Sequence, residues 1–287
     1  MTQVTPVTAM RRPLSGGLGG RLTIIAVVLL AAMWMLPIAW VFAASFKPNE
    51  VLMIRTDGLL SPPFTLQNYA NLLGASSLPR WLANSAIVSL GQTALVLILS
   101  SLAGYGFART SFPGKRWVFA FVLAGLAVPE QAILIPLHRL FAGLELHNTY
   151  SALILPRLAA PFGVYLMTQY FKAIPRELEE AALLDNASRL KIFLRIIVPM
   201  SLPAQATLGI FSFLTAWNDY LWPLVSATRP DMYTLTVGLA SIQTNFAQAE
   251  GIGYLMAQAV FAGLPIFIVY LFFQKHIVAA VSGTTVG

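Results

Sequence analysis

The chain has 287 residues, of which 57% are hydrophobic and only 10% charged, with a mean hydropathy of +0.72. Soluble domains carry roughly 25% charged residues, so this chain cannot cover a water-facing surface and lipid must be its main solvent. The formal charge of +7 does not mark a nucleic-acid binder, because Lys and Arg cluster between apolar stretches and not along one polar face, and the lack of cysteine excludes disulfides and thiolate metal sites.

Six stretches are long and apolar enough to cross a bilayer core, which takes about 20 residues of helix. The first, 22–44, follows Arg11, Arg12 and Arg21 in the manner of a signal peptide. Its apolar run outlasts a signal core of about 7–15 residues and no small-x-small cleavage site follows, so it reads as a retained span behind a polar tail, 1–21. The others fall at 84–107, 117–136, 150–171, 200–222 and 254–274. Two long connections, 45–83 and 223–253, mix turn formers (Lys47-Pro48-Asn49, Ser61-Pro62-Pro63, Arg229-Pro230-Asp231) with apolar residues, and read equally as short interfacial helices or partner-contact surfaces, or as plain loops. No linker or internal repeat divides 22–287, which is expected to be one all-α transmembrane domain.

Basic residues in alternate loops set the orientation. Arg11, Arg12, Arg21, Arg109, Lys115, Arg116, Lys172, Arg176, Arg189, Lys191, Arg195 and Lys275 fall on one side. Lys47, Arg55, Arg80, Arg139 and Arg229 fall on the other, with Arg157 inside a span. Twelve against five places both termini in the cytoplasm.

The most patterned loop is cytoplasmic, about 172–199. Pro175 stands where a helix can start, since a first turn leaves its missing N–H unneeded. Glu177, Glu179 and Glu180 favour the positive end of a helix dipole, and Leu178, Ala181 and Ala182 make a small apolar stripe. Asn186 tolerates the left-handed conformation that ends helices, and Ser188 is a suitable N-cap for a second helix. That helix carries Leu190, Phe193, Leu194 and Ile197 on one face and Lys191 and Arg195 on another, and Pro199 opens the fifth span. The pattern predicts a helix-turn-helix beneath the membrane.

Ionisable groups inside spans are costly and mark functional positions. Glu130 and Arg157 fall on consecutive spans at matched depth, roughly 10 Å below the outer surface. Asn218 and Asp219 approach the outer end of the fifth span, and Gln258 lies just inside the sixth. These five could ring a cavity for a hydroxylated solute, or Glu130 and Arg157 could simply pair to fix helix packing. Trp217 and Trp222 read as an interfacial aromatic belt. His138 and His147 lack any partner at metal-ligand spacing and read as solvated. Pro129, Pro136, Pro156, Pro161 and Pro265 are positioned to kink spans.

Glu180-Ala181-Ala182, followed by Asp185-Asn186-Ala187, Ile197-Val198-Pro199 and Pro203, resembles the EAA loop of ABC-importer permeases. Ser45-Phe46-Lys47, Asn84-Ser85, Phe112-Pro113-Gly114-Lys115, Pro129-Glu130-Gln131 with Pro136, and the run Trp217 to Leu224 resemble the carbohydrate-uptake branch, its shorter maltose-type permeases in particular. Asn186 replaces the usual glycine, and both accept positive φ. The tail Ser282 to Gly287 lacks the lysine common in that branch. The resemblance implies a coupling helix docked in a groove of a cytoplasmic ATPase, with Glu179, Glu180, Ala181, Ala182, Asp185 and Asn186 as its contacts. It also implies two copies of that ATPase, a second and different permease, and an extracytoplasmic solute-binding protein.

The chain is not expected to be an enzyme. Gly114-Lys115-Arg116 lacks the glycine spacing and the Ser or Thr of a phosphate loop, so ATP and Mg belong on the partner ATPase and this chain holds no cofactor. The rival reading is an ion-coupled secondary transporter, which a membrane carboxylate such as Glu130 would suit, although no inverted repeat is visible. An intramembrane hydrolase would need a Ser or His pair within spans. Ser76 and Ser77 lie in a loop, and His276 stands alone at an inner end.

Overall fold

The computed structural model describes residues 18–54, 62–75, 77–246 and 251–282. The tail expected over 1–21 lies outside them up to residue 17, as do Arg55 and the end of the chain after Ser282. Everything described is helix or connection. In chain order the helices are α1 (Leu18–Ser45), α2 (Asn49–Ile54), α3 (Gln67–Gly74), α4 (Leu78–Arg109), α5 (Lys115–Ala124), α6 (Glu130–Gly143), α7 (Tyr150–Ile154), α8 (Pro161–Ala173) and α9 (Glu177–Leu184). They continue as α10 (Arg189–Ile192), α11 (Val198–Met200), α12 (Leu202–Trp217), α13 (Leu221–Ser226), α14 (Leu235–Phe246) and α15 (Gly251–Ser282).

Three of these helices are long and apolar enough to span a membrane unbroken, over Gly19–Ser45, Leu78–Arg109 and Gly251–Phe272. Three helix pairs, each bent at a short break, are together long and apolar enough to supply three more, Lys115–Ala127 with Glu130–Gly143 at 101°, Tyr150–Arg157 with Pro161–Ala173 at 51°, and Arg189–Met200 with Leu202–Trp217 at 75°. Each bend has a proline at its break, namely Pro129, Pro156 with Pro161, and Pro199 with Pro203, where the missing N–H and the ring interrupt the ladder. Pro136 and Pro265, expected to kink spans, sit inside α6 and α15 without a break. The bends also move the expected limits. The third span runs on to Gly143, and the fifth stops at Trp217, because residues 218–220 leave the helix before α13.

The bundle is held most tightly where α4 meets α8. A Cβ on Gly104 would stand 2.7 Å from Met167 Cβ, and one on Gly163 would stand 2.4 Å from Ser100 Oγ. With lipid as solvent, such close backbone approach replaces the hydrophobic drive between helices. α12 packs on α4 and α15 packs on α1. Large side chains along α1 stay exposed, Trp34 at 71%, as suits a helix apolar all round with lipid around it.

Ends of the bundle differ in character. At one, the cap face, the two long connections fold into α2, α3, α13 and α14, the short-helix alternative of the two open in the sequence. Asn84 is wholly buried there, donating to the carbonyls of Asp231 (2.9 Å) and Tyr233 (2.8 Å) and accepting from Tyr150 Oη at 2.7 Å. Lys47 is buried too, its ammonium 4.3 Å from the centre of the Phe64 ring. Asp231's carboxyl is held below its usual range by hydrogen bonds from the Arg229 guanidinium. Trp217 and Trp222 are core residues and not an interfacial belt. Both are 4% exposed, and their indole N–H groups reach Ala262 O (3.1 Å) and Ala152 O (2.8 Å), which satisfies the polar edge of a buried indole. His138 and His147 are likewise not simply solvated. Their rings lie 4.5 Å apart, and His147 also contacts Ser226 Oγ and His138 O. The other end, the loop face, carries the turn after α4 and everything from Ile174 to Ser201.

Candidate functional site

Two polar constellations stand out, one at the loop face and one among the helix breaks. The loop-face site begins with α9. Arg176 supplies the carbonyl for its first turns, accepting from Glu179 N and Glu180 N, and three glutamates occupy the positive end of its dipole. The helix closes at Asn186, with φ of 57°, while Ala187 N–H returns to Ala182 O at 3.0 Å, a left-handed stop. Ser188 Oγ then accepts from Lys191 N and caps the second helix. The predicted helix-turn-helix is present, its first helix starting at Glu177, two residues after Pro175.

Side chains of α9 divide between two faces. Glu179 and Ala182, three residues apart, turn inward. Glu179 Oε1 is 2.5 Å from Arg109 Nε, with these side chains 15% and 6% exposed, and Glu179 Oε2 accepts from Tyr105 Oη at 3.3 Å. Arg109 also donates to Ile174 O at 2.6 Å. Ala182 packs on the core cluster that contains Ile192, Phe193, Ile197 and Phe171. Glu177, Glu180, Ala181 and Leu184 are exposed, Leu184 at 85%, and the spacing i, i+3, i+4, i+7 makes them one outward stripe. Asp185 and Asn186 are exposed in the turn beyond.

The second helix presents a different face from the predicted one. Ile192, Phe193 and Ile197 are buried, whereas Leu190 and Leu194 are 63% and 54% exposed. The cause is a π-helical stretch, Phe193–Ile197, whose Val198 N–H reaches Phe193 O. One extra residue in the turn rotates the apolar register and lets Pro199 follow without a clash at the carbonyl four residues back.

The second constellation joins the three bent spans. Arg157 ends the 3₁₀ turn at the break of the fourth span, Glu130 begins α6 at the break of the third, and Asp219 lies in the gap between α12 and α13. Arg157 Nη1 donates to Glu130 Oε1 at 2.8 Å and Nε to Asp219 Oδ2 at 2.8 Å. The side-chain exposures are 17% for Arg157, 66% for Glu130 and 9% for Asp219. Thr236 Oγ1 donates to Asp219 O at 2.8 Å, which ties α14 to the same point. A guanidinium fork is suited to hold two carboxylates from different elements at fixed geometry. Asn218 turns back on its own helix, donating to Leu214 O at 2.9 Å. Gln258 is 1% exposed within the packing of α15.

Sequence reasoning paired Glu130 with Arg157 but did not bring Asp219 to the same guanidinium. It also missed Arg109 and Tyr105 as the seat of Glu179. Their separation of four on one helix, ending a span below three glutamates, was the available signal.

The Binding-protein-dependent transport system inner membrane component family model matches residues 96–283. The arabinooligosaccharides transport system permease protein of Bacillus subtilis (strain 168) is 34% identical over 263 residues, 91% of this chain and 92% of that one. The diacetylchitobiose uptake system permease protein of Streptomyces coelicolor is 33% identical over 266 residues, 90% of this chain and 86% of that one. Among solved structures, a bacterial ABC transporter involved in importing the acidic polysaccharide alginate has a chain that superposes with a TM-score of 0.78 at 21% identity, covering 91% of this chain and 98% of that one. The chain therefore belongs to the family of binding-protein-dependent transport system inner membrane components, and it is a permease component of an ABC transporter.

Proposed function

We propose that this chain forms part of the translocation pathway of an ATP-driven importer for a sugar or related polar solute, and that α9 is the element that couples it to a cytoplasmic ATPase. The carrying observation is the two-faced α9. Its outward stripe of Glu177, Glu180, Ala181 and Leu184 is uncovered, while Glu179 fixes its inner face to Arg109 at the end of α4. A load on the stripe is thus delivered to a helix that runs to the opposite side and meets α8 and α12. Small Ala181 allows a partner's backbone to approach closely, and Glu180 stands beside it for polar contact. Asp185 and Asn186 shape the turn, and Glu179 and Ala182 serve coupling from the inner face, as the latch to the bundle.

On this reading ATP and Mg bind two copies of the ATPase, a second and different permease completes the pathway, and an extracytoplasmic binding protein delivers the solute. Relatives that carry arabinooligosaccharides and diacetylchitobiose support a saccharide class. The basic residues of the loop face support a cytoplasmic location for it and for both termini. Glu130, Arg157 and Asp219 sit where helices break inside spans, and non-helical backbone at membrane depth is tolerated where it is buried in protein or lines a cavity. That supports them as pathway residues, with Asn218 and Gln258 as further candidates.

The test is co-purification of the ATPase with the full-length tagged permease. Overpacking a fitted contact costs about 1–3 kcal/mol, so Ala181→Trp, and Leu184→Arg with its buried charge, should each lose the ATPase while inserting normally. Wild-type retention by both variants would remove α9 as the docking element.

A further inference from the structure

The stretch Phe112-Pro113-Gly114-Lys115 has no part in the coupling described above. It turns the chain from α4 into α5, with Gly114 at φ 75°, and opens a cavity of about 370 Å³ lined by Phe107, Lys115, Arg116, Phe119, Thr168 and Lys172. We propose that this cavity, between α4, α5 and α8 at the loop face, binds the head group of an anionic phospholipid.

The lining carries three cations and no carboxylate. None of the three enters an ion pair among the described residues. Lys115 Nζ donates to Thr110 O at 2.7 Å, and Lys172 Nζ stands 5.7 Å from the centre of the Phe119 ring. Lys115 and Arg116 also occupy the first turn of α5, which holds no acidic residue. The helix dipole is positive at that end, so like charges meet with no carboxylate to neutralise them, and an anion between them relieves the repulsion.

A lipid fits better than a soluble anion because of what surrounds the charges. The rest of the lining is Phe107, Phe119 and Thr168, whose hydroxyl is spent on Val164 O, and the cavity adjoins a helix with no buried residue. Trp117 is 76% exposed and Phe121 is 81% exposed on α5. Lys and Arg beside an exposed tryptophan match the level of phospholipid head groups, and the apolar face of α5 continues from there for acyl chains. Basic pockets between membrane helices are suited to anionic head groups, each cation adding about fivefold to binding near the surface.

The probe is Trp117 fluorescence in the purified full-length chain, isolated by subtracting the signal of Trp117→Phe. Micelles are doped with dibrominated phosphatidylglycerol or dibrominated phosphatidylcholine, whose bromines quench on contact. Quenching by phosphatidylglycerol is expected at a mole fraction about tenfold or more below that of phosphatidylcholine. The Lys115→Gln/Arg116→Gln/Lys172→Gln variant should lose this preference, and the charge-conserving Lys115→Arg/Lys172→Arg variant should keep it. Millimolar inorganic phosphate should not compete. Equal quenching by the two lipids in the unaltered protein overturns the proposal even if the triple variant does not fold. So does a preference that survives neutralisation, and competition by phosphate would reassign the cavity to a soluble anion.

Discussion

The latch between α4 and α9 should be the most sensitive point of the loop face. Arg109 and Glu179 pair at 2.5 Å with side chains 6% and 15% exposed, so removing one partner leaves the other charge desolvated, a loss of about 3–5 kcal/mol. Arg109→Met also strips Ile174 O of its donor, adding about 1–3 kcal/mol if that carbonyl stays dry. Glu179→Gln keeps an acceptor for Arg109 and Tyr105 and should cost less. At about 1.4 kcal/mol per factor of ten, the docked state of α9 loses two orders of magnitude or more in the worse variant. The chain has no cysteine, so Ala182→Cys places a single thiol on the inner face of α9, packed against the core cluster. Its maleimide-labelling rate in membranes then reports undocking. Labelling should rise at least about tenfold in Arg109→Met and in Glu179→Leu and less in Glu179→Gln, with the double variant Arg109→Met/Glu179→Leu well below the sum of its two singles. Unchanged rates, or strictly additive effects, would refute the latch.

At the helix breaks, Asp219→Asn should lower the thermal midpoint in detergent far more than Glu130→Gln. The Asp219 carboxylate is 9% exposed and its loss leaves the largely buried guanidinium only Glu130 as a counter-charge, whereas that of Glu130 is 66% exposed and an exposed pair contributes about 0–1 kcal/mol. Arg157→Met should be worse than either, and equal midpoints for all three would count against the clamp. Gly104→Ala places a methyl 2.7 Å from Met167 Cβ and 3.1 Å from its carbonyl carbon. It should destabilise the α4–α8 contact by about 1–3 kcal/mol, with a lower midpoint as the readout and an unaltered midpoint as the contrary result. A reporter fused after Gly287 should be active only in the cytoplasm, and activity only outside would reverse the assigned orientation.

Hydropathy made the six spans legible because lipid imposes a length and a composition on any crossing helix. It could not show that three of them bend, since a broken span and a straight one have the same composition. Proline did not decide it alone, because Pro129 marks a break and Pro136, seven residues on, does not. Local rules served the loop well. Glutamates at the dipole end, Asn186 in the left-handed region and Ser188 as cap are all short-range effects. They failed at the next helix, where the π-helical turn before Pro199 rotates the buried face away from Leu190 and Leu194. The Arg157 cluster was half visible, as matched depth on neighbouring spans pairs Glu130 with Arg157. Asp219 reaches them only because the chain leaves the helix after Trp217, a tertiary fact. Trp217 and Trp222 were misassigned because an indole with its N–H bonded to a carbonyl can be buried as readily as it can sit at an interface.

Import powered by ATP is the central claim, and reconstitution tests it most directly. The permease, purified with its partner permease and ATPase, is placed in proteoliposomes together with the solute-binding protein and a labelled oligosaccharide. Accumulation should require ATP and Mg on the side of the loop face, and should persist when ionophores collapse every ion gradient. Uptake that proceeds without ATP and follows an imposed ion gradient would contradict the account.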